Sequence, residues 1–288
     1  MASVLLTPVL EGVIVQHSGS EKPAITPFNI PHSRSVHGNT FLLGLKLEPS
    51  SQTISINEAV KLVDEQAGTL KELLGKHGAI LFRNFPIKFT TDFQAFVRAF
   101  KLPNPHHEVG LSGKRTTVTD DVKTANEEPP DVKFSYHSGY GGSAHFPGIL
   151  FFYSQIAKGE WQSNGALQVV QKLPAIRKIA STGKPIFFNG FVSVYGRARD
   201  NHALEAPYKG DDEKYHFPTT YGDGLGIPIK YLERLLKLSD EIGFLVPWEE
   251  SHVSLIDNFT VQHARSPWVG KRSLLASLWD GHGQFLTS

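Results

Sequence analysis

The sequence contains no cysteine, and this absence excludes several classes of chemistry at once. Disulfide bonds, cysteine-ligated zinc, iron–sulfur clusters and thiol nucleophiles all require a residue that the chain does not have. Any metal site must therefore use nitrogen and oxygen ligands, and the chain offers 13 histidines. The histidines are therefore the first candidates for metal ligands.

The chain also lacks an excess of charge of either sign and a long apolar run. Lys and Arg number 29 and Asp and Glu 28, so the formal net charge of +1 favours neither nucleic acid nor a membrane surface. No apolar run reaches the roughly 18 residues that a membrane-spanning helix needs, and the N-terminus lacks the basic start of a secretion signal. We therefore expect a cytoplasmic protein with no nucleic-acid or membrane partner. The sequence leaves its oligomeric state open.

Helical periodicity is present in three places. Ser55 and Glu58 have the spacing of a capping box at the start of a first helix, which Gly78 is expected to end. Thr91 with Gln94 predicts the start of a second helix, because the apolar residues that follow recur at helical spacing. A third helix is predicted at about 228–239.

Short apolar segments predict a β-rich core. The predicted strands are 79–82, 132–137, 148–154, 185–195, 253–257 and 272–279. Residues 101–130 carry turn chemistry, and residues 1–40 are expected to form an irregular arm with one short strand at 12–15. Many short strands with a few helices indicate a mainly β sandwich or barrel with flanking helices. We expect residues 41–288 to form a single domain.

Two histidines follow strand patterns that would deliver them to one site. His137 ends the segment FSYH, and His263 follows VSLIDNFTVQ. Two histidines and one carboxylate on one face, with open positions, form the ligand set of non-haem Fe(II) oxygenases. A His-x-Asp/Glu pair suits that set, because side chains two residues apart on a strand point the same way. Here the carboxylate position is Gly139, which has no side chain.

Arg272 follows His263 by nine residues (272 − 263), and its planar guanidinium suits the far carboxylate of a keto-acid cosubstrate.

Each of these candidate site residues also has an ordinary structural explanation. A single histidine is more often hydrogen-bonded or exposed than metal-bound, Arg272 alone is more often a surface ion pair, and Gly139 alone suits a loop. Spacing alone permits the site without establishing it.

Five segments together resemble the TauD/TfdA family of Fe(II)/2-oxoglutarate dioxygenases, closest to the branch of amino-acid β-hydroxylases associated with peptide natural products. The resemblance covers about residues 40–285. It rests on HGAILFRNFP (77–86), EEPPDVKFSYHSG (127–139), FPGILFFYSQIAKGE (146–160), TYGDGLGIP (220–228) and IDNFTVQHARSPWVGKRSLLASL (256–278). It implies a double-stranded β-helix, the jelly-roll or cupin-like fold, with helices outside. It also implies Fe(II) as cofactor, 2-oxoglutarate as cosubstrate, and O₂ with a small-molecule substrate as reactants.

Carried over by position, His137 and His263 resemble the two iron-binding histidines. Arg272 resembles the arginine that anchors 2-oxoglutarate, and Arg265 is expected to orient cosubstrate or substrate. Arg197 and Arg199 lie where this family places substrate contacts, and would pair with the carboxylate of an amino-acid-like substrate. A solvated basic loop is the alternative for these two arginines.

Two departures from the family pattern fall in the same pocket. The His-x-Asp/Glu motif is His137-Ser138-Gly139, and the family's Gly-Gly-Glu-Thr-Pro segment is here 158–162, KGEWQ. Trp161 therefore replaces a threonine that would help to hold 2-oxoglutarate, and Ser163 or Gln162 is the expected substitute.

The missing carboxylate leaves three interpretations. The first is retained iron-dependent oxidation, by hydroxylation, desaturation or cyclisation, with water or a remote carboxylate such as Glu160 as ligand. The second is a halogenase, in which chloride takes the position vacated at Gly139. The third is a metal-free or inactive binding protein. Retention of both histidines and Arg272 favours iron, whereas the bulk of Trp161 argues against a bound cosubstrate.

Overall fold

The structure is a computed structural model. It describes residues 23–48, 54–108, 115–125, 127, 129, 132–143, 145–154, 173–269, 272–281 and 285. The strand expected at 12–15 and the segment 158–163 lie outside these residues.

A mixed sheet forms the centre of the described chain. The strands are β1 (Ala24–Phe28), β2 (Arg34–Val36), β3 (Asn39–Phe41), β4 (Leu43–Glu48), β5 (Ala79–Arg83), β6 (Thr117–Thr119), β7 (Val122–Thr124), β8 (Phe134–His137), β9 (Ile149–Ser154), β10 (Ile176–Lys178), β11 (Pro185–Phe187), β12 (Val253–Asp257), β13 (His263–Arg265) and β14 (Leu274–Trp279). Within the described residues, eight of them pair in the order β1-β4-β5-β12-β9-β14-β7-β6. The β4–β5 pair is parallel. A separate antiparallel pair, β8 with β13, lies outside the large sheet.

The helices of the described chain are α1 (Ile56–His77), α2 (Thr90–Arg98), α3 (Phe191–Asp200) and α4 (Ile229–Ile242). The predicted capping box of α1 is confirmed: the Ser55 hydroxyl accepts the N–H of Glu58 at 3.3 Å, and the Glu58 carboxylate accepts the N–H of Ser55 at 2.8 Å. Gly78 ends α1 with a φ of 74°, which favours glycine. In α2 the expected Thr91–Gln94 cap is wrong, because Asp92 accepts the N–H groups of Lys88 and Phe89.

The alternation of β9 divides the apolar residues into two groups. Phe151 and Tyr153 pack in the larger buried cluster with α1 and α2. Leu150 and Phe152 point the other way and join a smaller cluster that includes Ile256 of β12. Since side chains alternate along a strand, the sheet presents Leu150 and Phe152 on one face. The paired strands β8 and β13 reach this face.

The structure differs from the expectation in three segments. Residues 24–28, in the expected arm, form the edge strand β1. Strands β6 and β7 lie in the segment expected to be loop. The segment 185–195 is a strand only to Phe187, and α3 follows from Phe191. Its β-branched residues favoured a strand, but Val192, Tyr195 and Gly196 recur at helical spacing and are buried.

The expectation of a mainly β protein with flanking helices is confirmed at this level. Closure of the sheet into a jelly roll and the division at residue 40 stay predictions. No helix in the described part of the chain is long and apolar enough to cross a membrane.

Candidate metal centre

His137 and His263 meet across the antiparallel pair of β8 and β13. They are directly opposed partners in its register. Their ring centroids are 4.4 Å apart, with an angle of 50° between the ring planes. Both side chains are half-buried. The structure thus brings together two residues that are 126 positions apart in the sequence (263 − 137).

The His137 ring is held by the backbone of its own strand. Its Nδ1 lies 2.9 Å from the carbonyl oxygen of Ser135. Since a carbonyl only accepts, Nδ1 carries the hydrogen and donates it. The lone pair is then on Nε2, the arrangement found in metal-bound histidines whose other ring nitrogen is fixed by a hydrogen bond.

His263 contains a buried polar atom that the described residues leave without a partner. Its Nδ1 is buried and makes no hydrogen bond to them. The ring packs against Phe152, with centroids 5.3 Å apart. Buried polar atoms are nearly always paired, so this nitrogen needs a ligand from outside the described residues. A metal ion fits that requirement.

Both histidines are favoured in the neutral form that binds metals. Burial lowers the pKa of His137, and the charges of Arg115 and Arg197 lower it further, while the Ser135 carbonyl acts in the opposite direction. Burial also holds the pKa of His263 well below its ordinary value, with added effects of His137 and Arg115. Neutral imidazole is the ligand form, so the site does not need to lose a proton before it binds a cation.

Gly139 is enclosed by other residues. Asn258, fully buried, accepts the N–H of Gly139 at 2.6 Å and donates to its carbonyl at 2.8 Å. A Cβ at position 139 would lie 3.0 Å from Cδ1 of Leu150 and 3.1 Å from Oδ1 of Asn258. The φ of Gly139 is outside the left-handed region, so backbone freedom does not explain the glycine. The vacated position is therefore lined by a leucine and an amide.

The described residues provide two metal ligands and no third. They contain no group of three or more His, Cys, Asp or Glu side chains that could hold a metal ion. Glu160, the remote carboxylate considered above, lies outside the described residues together with Trp161 and Ser163. The remaining ligands of a cation at the histidines would have to come from a cosubstrate, water or the segments not described.

Arg272 is half-buried, and its guanidinium lies over the ring of Trp268 at 4.7 Å. Burial lowers its pKa. Among the described residues, no carboxylate pairs with it. A buried guanidinium without a charged partner suits the far carboxylate of a dicarboxylic cosubstrate.

Arg265 organises the approach to β8. Its Nη2 donates to the carbonyl oxygens of Pro129 and Val132, at 3.1 and 2.7 Å. Its guanidinium also lies 5.0 Å from the ring of Phe134 and 4.8 Å from that of Trp268. The contacts of Arg265 therefore fix the chain that enters the strand of His137. Its expected role towards cosubstrate or substrate stays a prediction.

The two arginines predicted to contact substrate have different surroundings. Arg197 lies 4.2 Å from the ring of Phe134, and its charge acts on His137. Arg199 forms ion pairs with Asp200 at 2.8 Å and Glu233 at 3.5 Å. Arg197 is thus on the histidine side of α3, whereas Arg199 joins α3 to α4.

Sequence reasoning missed a buried charged group that contacts Tyr140, the residue after Gly139. The Glu108 side chain is 3% exposed, and its carboxylate accepts hydrogen bonds from Tyr140 and Lys123 and faces Arg115. Burial acts to raise the pKa of Glu108, but the hydrogen bonds and the charge of Arg115 lower it overall. These residues lie in and around a segment read only as loop, so no periodic pattern identified them.

Comparison with known proteins gives one family match and one curated relative. Residues 42–170 match the family described as "Taurine catabolism dioxygenase TauD, TfdA family". The matched segment contains His137 and Gly139 and ends before His263 and Arg272. A clavaminate synthase-like protein of Arabidopsis thaliana is 26% identical over 302 residues, covering 78% of this chain and 88% of that protein.

Two solved structures resemble the chain at lower identity. PvcB of Pseudomonas aeruginosa is 17% identical, with 93% of this chain and 97% of that chain covered and a TM-score of 0.48. A putative alpha-ketoglutarate-dependent taurine dioxygenase of Burkholderia xenovorans is 13% identical, with 91% and 99% covered and a TM-score of 0.47. The family match supports an oxidoreductase of the Fe(II)/2-oxoglutarate dioxygenase type.

Proposed function

We propose that this protein is an Fe(II)/2-oxoglutarate-dependent oxygenase that oxidises a small amino-acid-like or natural-product substrate, by hydroxylation, desaturation or cyclisation. The opposed pair of His137 and His263, with ring centroids 4.4 Å apart, carries the proposal. The unused Nδ1 of His263 and the family match over residues 42–170 support it.

Each residue would have a distinct role. His137 and His263 would hold Fe(II), and Arg272 would bind the far carboxylate of 2-oxoglutarate through its planar fork. Bound Fe(II), with 2-oxoglutarate and O₂, would supply the oxidising power, and the cosubstrate would be converted to succinate and CO₂. The Ser135 carbonyl fixes the His137 ring. Phe152 packs on the His263 ring and keeps water from that side of the site.

The environment of Gly139 does not favour the chloride alternative. A halide that replaced the carboxylate would lie near position 139, whose closest neighbours are the methyl groups of Leu150 and the oxygen of Asn258. Neither carries a charge, so the lining of Gly139 itself gives the chloride alternative no specific support. The halogenase alternative predicts that chloride shifts the absorption band of the Fe(II)–2-oxoglutarate complex.

The metal-free alternative leaves the His263 site unexplained. A buried imidazole nitrogen without a partner costs about 1–3 kcal/mol if nothing binds it. A protein that used the pocket only for apolar ligands would gain stability from a carbon atom at that position. Iron binding accounts for the histidine where simple binding does not.

An anaerobic titration with Fe(II) and 2-oxoglutarate, with and without chloride, tests the proposed function. We expect a visible absorption band that requires both additions, is independent of chloride, and disappears in His263→Ala. His202→Ala is the control, because the side chain of His202 is 80% exposed and pairs with Asp211 at the surface. No band under any condition would reject the proposal, and a shift of the band with chloride would favour the halogenase alternative.

A further inference from the structure

A buried arginine near the histidines has hydrogen-bonding capacity that the described residues do not use. The Arg115 side chain is 17% exposed, and its Nε lies 3.7 Å from the Glu108 carboxylate. Its Nη1 is buried and makes no hydrogen bond to the described residues. Guanidinium groups carry five N–H donors, and buried donors are almost always satisfied. The unused Nη1 is therefore available to an acceptor from outside the described residues, such as a ligand.

The charges around Glu108 do not cancel. Glu108 contributes one negative charge, whereas Lys123 and Arg115 contribute two positive charges. Among these three residues one positive charge therefore remains, and the Arg115 side chain, 17% exposed, is the less exposed of the two cations. An anion bound beside Arg115 would neutralise it.

The cluster is joined by a hydrogen bond to the residue that follows the vacated ligand position. Tyr140, which donates to Glu108, directly follows Gly139. Tyr140 also packs in the apolar cluster of Leu150, the residue closest to Gly139. The charge of Arg115 is the one that acts on both His137 and His263. Arg115 is thus connected, through Glu108 and Tyr140, to the chain that directly follows Gly139.

We infer that Arg115 binds the carboxylate of a ligand held beside His137 and His263, which makes the substrate a carboxylic acid. The inference rests on the proposed function and adds a binding residue to it. Arg272 is the partner proposed for the cosubstrate, so the carboxylate at Arg115 is assigned to the substrate. A carboxylate suits the site better than a neutral group because it also balances the excess positive charge.

Binding measurements on Mn(II)-loaded protein test this assignment without turnover. N-oxalylglycine, a non-reactive analogue of the cosubstrate, is titrated first by calorimetry. With that analogue in place, amino acids and their matched amides are compared by thermal shift. In the wild type, we expect at least one acid to stabilise the protein where its amide does not. Arg115→Gln should weaken binding of that acid about 10- to 100-fold, the effect of losing one hydrogen bond between charged groups.

Two further variants make the result specific. Arg234→Gln, a surface arginine paired with Glu241, should leave all affinities unchanged. Arg115→Lys keeps the charge beside Glu108 and should retain part of the affinity for the acid. If Arg115→Gln fails to fold, the affinity of Arg115→Lys tests the inference in its place.

The outcomes separate the inference from the proposed function. If Arg115→Gln weakens N-oxalylglycine instead of the amino acid, Arg115 binds a carboxylate but that of the cosubstrate, and the substrate assignment falls. If N-oxalylglycine binds in a His263-dependent manner and the Arg115 variants change nothing, the inference is wrong while the metal site stands. If the wild type shows no N-oxalylglycine binding that His263→Ala removes, the proposed function itself is rejected.

Discussion

At the scale of single residues, the site depends on side chains that hold the backbone in place as well as on the metal ligands themselves. Asn258 is fully buried and makes three hydrogen bonds, to the N–H and carbonyl of Gly139 and to the carbonyl of Pro147. It thereby sets the path of the chain directly after the His137 strand. A residue with this role affects the metal site without contacting it.

Asn258→Ala should lower the free energy of unfolding by roughly 3 kcal/mol, because three buried backbone groups lose their partner. Urea denaturation measures the change. Asn39→Ala is the control, since among the described residues its side chain makes a single long hydrogen bond, 3.5 Å to the carbonyl oxygen of His37. It should change stability by less than about 0.5 kcal/mol. Equal effects in the two variants would contradict the role given to Asn258.

The stability of the fold should depend on pH through His252. Burial lowers its pKa from the ordinary value of 6.5, and the charge of Arg83 lowers it further. The folded state therefore binds this proton less readily than the unfolded state. The stabilisation is fully present above about pH 6.5 and is lost as the pH falls below that value towards the folded-state pKa.

Urea unfolding at pH 7.5 and 5.5 tests this dependence. His252→Gln should reduce the difference in stability between the two pH values, because glutamine cannot take up the proton. His32→Gln, at an exposed position, should leave the difference unchanged. A pH dependence identical in the wild type and His252→Gln would show that other groups cause it.

At the scale of elements, the position of the metal site depends on how closely α3 approaches β8. Gly196 of α3 permits this approach: a Cβ there would lie 2.8 Å from Oγ of Ser135, the residue whose carbonyl holds His137. The helix and the strand can pack at this distance only if the side chain is absent. A glycine in a helix interior is otherwise unfavourable.

Gly196→Ala should therefore destabilise the fold by about 1–3 kcal/mol, through overpacking against β8. It should also weaken Mn(II) binding, because Ser135 would shift together with the His137 ring. Gly68→Ala in α1 is the matched control, since a Cβ there meets nothing within 4 Å. That control should stabilise the protein by about 0.5–1 kcal/mol. The same sign for both variants would contradict the argument.

At the scale of the whole molecule, the sequence predicted what depends on local pattern. The strands β5, β9, β12 and β14 and the helix α1 follow from alternation, helical spacing and a capping box. His137 ends a predicted strand that the structure shows as β8, whereas the short strand β13, which begins at His263, was not among the predicted strands. Arg115 and Glu108 could not be predicted, because their significance arises only where distant segments meet. Helix α3 was misread because its valines favour a strand while burial of its other face favours a helix.

The opposed positions of the two histidines have a consequence for how this site can be lost or regained. A shift of the β8–β13 pairing by one residue would turn one imidazole to the other face of the ladder, although both residues would remain in the sequence. An insertion or deletion in the short connection between β12 and β13, residues 258–262, is the change that would favour such a shift. Inheritance of the site therefore depends on the length of this connection as well as on the identity of the ligands.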